Sequence, residues 1–170
     1  MSEALTEVRI MGLIPSNNGV AVFLGNEEKT FSIHVDHGVG TNIALLLRGE
    51  KRQRPLTHDL INLIFQAFTI SVVKIVINDL KDDTYFARLV LRAENEVHRK
   101  LAEIDARPSD CLAIALETQT PIYVSAKVWD QVSDITDVFE EMKKKFDEHG
   151  LDDTDEGGDD EDEGEVKERD

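Results

Sequence analysis

Two runs rich in β-branched residues, SVVKIVINDL at 71–80 and TYFARLVLRAE at 84–94, are separated by only Lys81, Asp82 and Asp83. So short a join makes the pair a hairpin with polar aspartates at its tip. Any fold for this chain therefore has to accommodate a long antiparallel ribbon near its middle. The first third repeats the theme: TEVRIMGLI and GVAVFLG flank the turn signal PSNNG, and KTFSIHV follows as a third strand.

Helical patterns interrupt the strands. TNIALLLRG reads as a helix capped by Thr41 and stopped by Gly49, and EKRQRP as a basic connector. THDLINLIFQAF reads as a helix capped by Thr57, with Asp59 in a first turn that favours negative charge. EVHRKLAEI is a strand that leads into a helix opened by Pro108, and PIYV is one more short strand. In KVWDQVSDITDVFEEMKKKFDEHG, Val128, Val132, Ile135, Phe139, Met142 and Phe146 recur at spacings of four and three. That spacing predicts one amphipathic helix, with Lys143, Lys144 and Lys145 near its C-terminus and Gly150 ending it.

VDHGVGTNIALLL (35–47) aligns without a gap on IDARPSDCLAIAL (104–116), setting Asp36 on Asp105 and Ala44 on Ala113. Both segments read strand end, Asp, tight turn, apolar helix. The expected fold is therefore α+β: a mixed, mainly antiparallel sheet with helices packed on it and a duplicated strand-helix unit whose two helix starts approach each other. The expected organisation is a domain over 1–126, a C-terminal amphipathic helix over 127–149, and an acidic tail over 150–170.

Of the formal charge of −16, the last twenty residues hold twelve acids and two bases. The first 150 residues then carry 23 acids and 17 bases, a net −6. A tail of that composition is expected to be disordered. The lone Cys111 excludes an internal disulfide and reads as a buried small hydrophobe. No leader pattern and no apolar run long enough to cross a bilayer appears, so a cytoplasmic chain without membrane contact is expected. The absence of a Walker loop, a dinucleotide glycine fingerprint, a nucleophile elbow, HExxH or a cysteine zinc pattern leaves no support for an organic cofactor.

Polar residues gather in three places. RPLTHDL (54–60) offers Arg54 as an anion clamp and His58 and Asp59 as proton-transfer or metal-binding groups, or else a plain helix start. NDLKDDTYFA (78–87) crowds Asp79, Asp82 and Asp83 at a turn, where a cation would relieve their repulsion and where Asp is also favoured locally. DARPSD (105–110) opens an apolar helix with more polar groups than a cap needs, although a salt bridge from Arg107 to Asp59 or Asp110 would account for the surplus. HVDH (34–37) is a weak metal motif, since His34 and Asp36 share one strand face and His37 takes the other.

Taken together and in this order, RPLTHDL, DLKDDTYFARLVL and IDARPSDCLAIAL make the chain similar to the bifunctional nuclease domain family, over roughly residues 5 to 130. The resemblance implies a compact α+β domain, a homo-oligomer, and nuclease activity toward DNA and RNA. One departure stands out: Val39 occupies the place of a family glutamate ahead of the first helix. The expected chemistry is phosphodiester hydrolysis by His58, Asp59, Arg107 and Asp110, with Arg54 and Arg107 gripping the phosphate of a nucleic acid. Asp79, Asp82, Asp105 and Asp110 are the expected ligands of a divalent Mg²⁺ or Mn²⁺. The alternative is a non-catalytic oligomeric binding or regulatory module of the same fold, in which these groups form an Arg-carboxylate lattice.

Overall fold

A computed structural model describes residues 4–50, 53–94 and 96–149. Seven strands and five helices follow one another as β1 (Leu5–Ser16), β2 (Gly19–Gly25), β3 (Thr30–Val35), α1 (His37–Leu47), α2 (Thr57–Ala67), β4 (Ile70–Lys81), β5 (Thr84–Glu94), β6 (Arg99–Ala106), α3 (Pro108–Thr118), β7 (Ile122–Ser125), α4 (Ala126–Gln131) and α5 (Thr136–His149). Among the described residues the strands form one sheet in the order β3-β2-β1-β7-β4-β5-β6, in which the β4–β7 pair is parallel and the others antiparallel. The α+β class and the mainly antiparallel sheet are as expected. The acidic tail, its onset at Gly150, and part of the basic connector (Lys51 and Arg52) lie outside the described residues.

The central hairpin turns at Asp82 and Asp83, both with positive φ (46° and 58°), the twist that lets two antiparallel strands continue without splaying. At the PSNNG turn Gly19 has φ 146°, and a Cβ there would sit 2.2 Å from the Val35 carbonyl oxygen. Only glycine lets β2 start so close to the end of β3.

Each half of the chain lays down a three-stranded meander and then a helix: β1-β2-β3-α1, then β4-β5-β6-α3. Because β7 is antiparallel to β1 and parallel to β4, β1 and β4 run oppositely, as they would if a two-fold axis crossed the sheet. Helices α1 and α3 lie against each other on one face. The gapless sequence alignment is two residues out of this register. Asp36 immediately precedes α1 and Arg107 immediately precedes α3, so the structural counterpart of Asp36 is Arg107 and not Asp105.

The main core lies between the sheet and α1, α2 and α3, and is built from Val22, Leu24, Ile33, Ile43, Ile75, Ile77, Leu112 and Val124 among others. Side chains alternate along a strand, so Ala21 and Phe23 point to the opposite face of β2. There they meet Ile14 and Phe139 in a second, smaller cluster under α5. The Phe23 and Phe139 rings are 4.6 Å apart, and a Cβ on Gly12 would touch Phe139 at 3.0 Å. Helix α5 thus seats on a notch that Gly12 leaves open at the bulge in β1.

The single C-terminal helix expected from the hydrophobic stripe is two helices. Asp134 breaks it: its Oδ1 accepts from the Thr136 amide (3.0 Å), the Thr136 hydroxyl (2.6 Å) and the Thr30 amide of β3 (3.2 Å). Val128 enters the main core from α4 and Phe139 the second cluster from α5, whereas Met142 and Phe146 remain exposed. Among the described residues no helix is long and apolar enough to cross a membrane.

Candidate functional site

Helix α3 begins where Pro108 fixes φ for the first turn and forces the residue before it, Arg107, into extended backbone (φ −68°, ψ 141°). Arg107 makes no side-chain capping bond to the amide groups at the start of α3. Its guanidinium instead forks onto Asp110, Nε donating to Oδ2 at 2.9 Å and Nη2 to Oδ1 at 3.2 Å. Asp110 Oδ1 is also 3.0 Å from His58 Nε2, and His58 Nδ1 is 3.1 Å from Asn42 Nδ2. With the Asn42 amide in this orientation, Nδ1 accepts and Nε2 carries the proton donated to Asp110.

This chain of four residues ties together α1, α2 and α3 and runs from core to solvent. Asn42 is buried, the His58 side chain is 12% exposed, Asp110 31% and Arg107 69%. Burial works against ionisation of Asp110, but the bonds from Arg107 and His58 outweigh it and hold the carboxyl below its ordinary range. Asp110 in turn raises the Arg107 guanidinium, so the pair stays charged across the working range of pH.

Beyond Arg107 lies a cleft of about 360 Å³, walled by the end of β3, the tip of the β4–β5 hairpin and the start of α3. Its polar lining includes His34, Asp36, Asp83, Tyr85, Arg107 and Ser109. Of these, Asp36 is already engaged, since its Oδ1 accepts the Val39 amide at 2.9 Å and caps α1. Thr41, the expected cap, instead lies inside the helix and bonds the His37 carbonyl. Val39 packs its side chain against the main core, which places the family glutamate position within the first turn of α1.

Of the site residues expected from sequence, His58, Arg107 and Asp110 come together; the others go elsewhere. Asp59 turns away from His58 on its helix: its Oδ2 accepts the Leu56 amide at 2.6 Å, making Leu56 rather than Thr57 the residue before α2. Arg54 lines a groove of about 810 Å³ with Asp59, between α2 and the C-terminal ends of α1 and α3, away from Asp110. Asp105 pairs across the strands with Arg88, one residue out of step with the core pair Ala87–Ala106, so it projects from the opposite face of the sheet. There it lines a cavity with Asp79, Lys81, Phe86, Arg88 and Glu103. Asp82 sits at the hairpin tip.

Asp79 is held by two lysines, Lys127 at 2.5 Å and Lys81 at 2.9 Å, and those bonds lower its pKa to about 2. The expected divalent ion therefore does not fit these carboxylates as they stand. Both oxygens of Asp79 and of Asp110 are paired with cationic or imidazole groups, and the two residues lie on opposite sides of the sheet. Asn78 Oδ1, buried without a hydrogen-bond partner, is a lone neutral donor beside Asp79, short of the six oxygens a hard cation takes. Among the described residues no group of three or more His, Cys, Asp or Glu is arranged to hold a metal.

No local pattern points to Asn42, a polar residue in an apolar helix whose burial at one end of the His58 relay depends on how α1 and α2 pack. His34 was visible only as part of a weak metal motif, because its neighbours in the cleft come from residues fifty and seventy positions away.

The model of the bifunctional nuclease domain matches residues 22–137. The chain belongs to that family. The match spans α1, the central hairpin and α3, and so contains the whole Asn42–His58–Asp110–Arg107 relay. Two similar relatives are the uncharacterized proteins MT1877 and Rv1829 of Mycobacterium tuberculosis (strains CDC 1551 / Oshkosh and ATCC 25618 / H37Rv). Each is 34% identical over 129 residues, which cover 74% of this chain and 74% of the relative. Membership in the bifunctional nuclease domain family supports a nuclease-like function for the chain.

Proposed function

We propose that this family member hydrolyses phosphodiester bonds in DNA or RNA, with the substrate phosphate seated in the cleft at the start of α3. One observation carries the reading: a helix start without a side-chain cap opens beside an exposed guanidinium that Asp110 holds rigid. Helix amides and an oriented arginine are the standard protein groups for binding a phosphate and for stabilising the charge that builds on its oxygens. Arg107 is the phosphate-binding residue; Asp110, His58 and Asn42 are positioning residues behind it. His34 lines the same cleft and is the proton acceptor for an attacking water, which adds to phosphorus while the leaving oxygen takes its proton from solvent.

The test is cleavage of single-stranded DNA and RNA by the purified chain, measured with Mg²⁺, with Mn²⁺ and with chelator. Arg107→Ala should lower the rate by about 10²–10³-fold, the loss typical of one donor to a developing oxyanion. Equal rates for variant and parent would assign the cleavage to a contaminant and remove the reading.

A second reading, a non-catalytic module, is favoured by the completeness of the relay. Both nitrogens of His58 and both oxygens of Asp110 are spent on internal bonds. Retention of oligonucleotide without any cleavage, lost on Arg107→Ala, would select it.

A further inference from the structure

In its first half the outer face of the sheet is covered by α5, and in its second half it holds a cavity of about 490 Å³. Phe86 and Arg88, two apart on β5, line that cavity beside Glu103 and Asp105, two apart on β6. Arg88 and Asp105 stand directly opposite each other across the two strands, yet Arg88 Nη1 donates diagonally to Glu103 Oε2 at 2.9 Å. Among the described residues Asp105 forms no ion pair, and Glu103 leaves the Nε and Nη2 edge of the guanidinium open. Phe86 is 38% exposed, with Lys81 Nζ 5.8 Å from the centre of its ring. Lys81, Arg88 and Lys127 balance Asp79, Glu103 and Asp105, so the cavity is close to neutral. That balance suits an uncharged planar group with both donors and acceptors better than a metal ion or a bare phosphate, and the volume lies within the roughly 300–1,000 Å³ of small-molecule sites.

We propose that this cavity is a subsite for a guanine base. Guanine carries the acceptors O6 and N7 on one edge and the donors N1–H and N2–H on the next, so a forked cation and a carboxylate set side by side match it together. The open edge of Arg88 donates to O6 and N7, the two oxygens of Asp105 accept from N1–H and N2–H, and the Phe86 ring stacks on the base. Adenine and cytosine each turn an amino group toward Arg88 and a bare ring nitrogen toward Asp105, which reverses both contacts. Uracil keeps one bond to each residue. The expected order is therefore guanine, then uracil, then adenine and cytosine. The inference extends the nucleic-acid reading above by naming one base, and it does not depend on cleavage. Asp83, Thr84 and Tyr85 wall the Arg107 cleft, while Lys81 and Phe86, just behind them on the same hairpin, wall this cavity. A strand with its phosphate at Arg107 can thus lay a nearby base here by passing over the hairpin tip.

Equilibrium dialysis of the full chain against nucleosides tests the proposal, since a nucleoside has neither a phosphate for Arg107 nor a bond to cleave. Guanosine should bind about 10-fold or more tighter than adenosine or cytidine, the discrimination of one good bidentate contact, with uridine between them. Inosine, which lacks the 2-amino group, and 7-deazaguanosine, which lacks the N7 acceptor, should each bind more weakly than guanosine. Asp105→Asn should erase the guanosine–inosine difference, and Arg88→Lys the difference between guanosine and 7-deazaguanosine. Phe86→Ala should weaken every nucleoside by about 10-fold. The ligand analogues need no variant, so a misfolded variant cannot hide the result. Phosphorothioate octamers of thymidine with and without one central deoxyguanosine separate two sources of the base: a preference for the guanine octamer that Asp105→Asn removes assigns the cavity to a strand, and guanosine selectivity without it assigns the cavity to free nucleosides and nucleotides. Equal binding of all nucleosides, no saturable binding of guanosine, or a guanosine–inosine difference that survives Asp105→Asn would each overturn the proposal. Failure of the cleavage assay would leave guanosine selectivity standing, and loss of that selectivity would leave cleavage standing.

Discussion

The two halves of the molecule repeat one plan and finish it differently. In the first, Asp36 closes the start of α1 with its own carboxylate, and α5 covers the outer face of the sheet through Phe139. In the second, Arg107 stands where Asp36 would be and leaves the start of α3 without a side-chain cap. The outer face of that half carries a lattice of ion pairs, Arg88–Glu103 and Asp79 with Lys81 and Lys127, beside a cavity of about 490 Å³. One half closes its helix start with a carboxylate, while the other sets an exposed guanidinium at the equivalent position. In a repeated architecture, then, the exchange of a single residue can reverse the charge presented at a helix start.

Four variants sharpen or break that contrast. The largest effect is expected from Phe139→Ala, which should cost about 3–5 kcal/mol in urea unfolding, because it empties the pocket between Gly12 and Phe23. A loss below about 1 kcal/mol would mean that α5 does not seal the first half. Asn42→Ala should cost about 1–3 kcal/mol by leaving His58 Nδ1 without its donor, and it should also loosen Arg107, seen as weaker phosphate protection of Arg107 from phenylglyoxal. Asp36→Ala should cost about 1 kcal/mol through the lost cap on α1, and because Asp36 lines the same cleft as Arg107 it should strengthen anion binding there. Unchanged anion binding would mean that the anion does not sit in that cleft.

The smallest effect is expected from Asp79→Asn, and it should be present near neutral pH and vanish in acid. The Lys127 and Lys81 bonds depress the Asp79 pKa from 3.8 to about 2, so their contribution is complete above the ordinary carboxylate range and fades as pH falls through about 2. The parent should therefore lose its advantage over the variant between about pH 4 and pH 2. A constant difference across that interval would show that the lysines do not act through the charge of Asp79. In the native protein Cys111 should resist alkylation, since burial first and the nearby carboxylates second push its thiol up to about 12.

Local signals in the sequence carried most of the sheet. The KDD hairpin, the PSNNG turn and Pro108 at a helix start are decided within a few residues, and all three stand. What escaped the sequence depends on contacts between distant segments. Asp134 breaks the C-terminal stripe because Thr30 offers it an amide from across the fold, and Asp79 meets Lys127 forty-eight positions away. Thr41 is the cap expected for α1, but the helix starts earlier, where Asp36 accepts the Val39 amide. At the site, the polar excess of DARPSD contains Arg107 and Asp110, which the fold brings together with His58. The same composition could not reveal that Asp105 points to the other side of the sheet, since strand parity is fixed only once β6 pairs with β5.

The sheet ends at β3 and β6, and neither rim invites another strand. The β3 rim is fastened at its start, where the Thr30 carbonyl accepts the Ile135 amide. Half of the eight residues of β6 are charged (Arg99, Lys100, Glu103 and Asp105), a composition that discourages fibre-like growth along an unpaired edge. Copies of this chain are thereby steered away from joining edge to edge into endless ribbons.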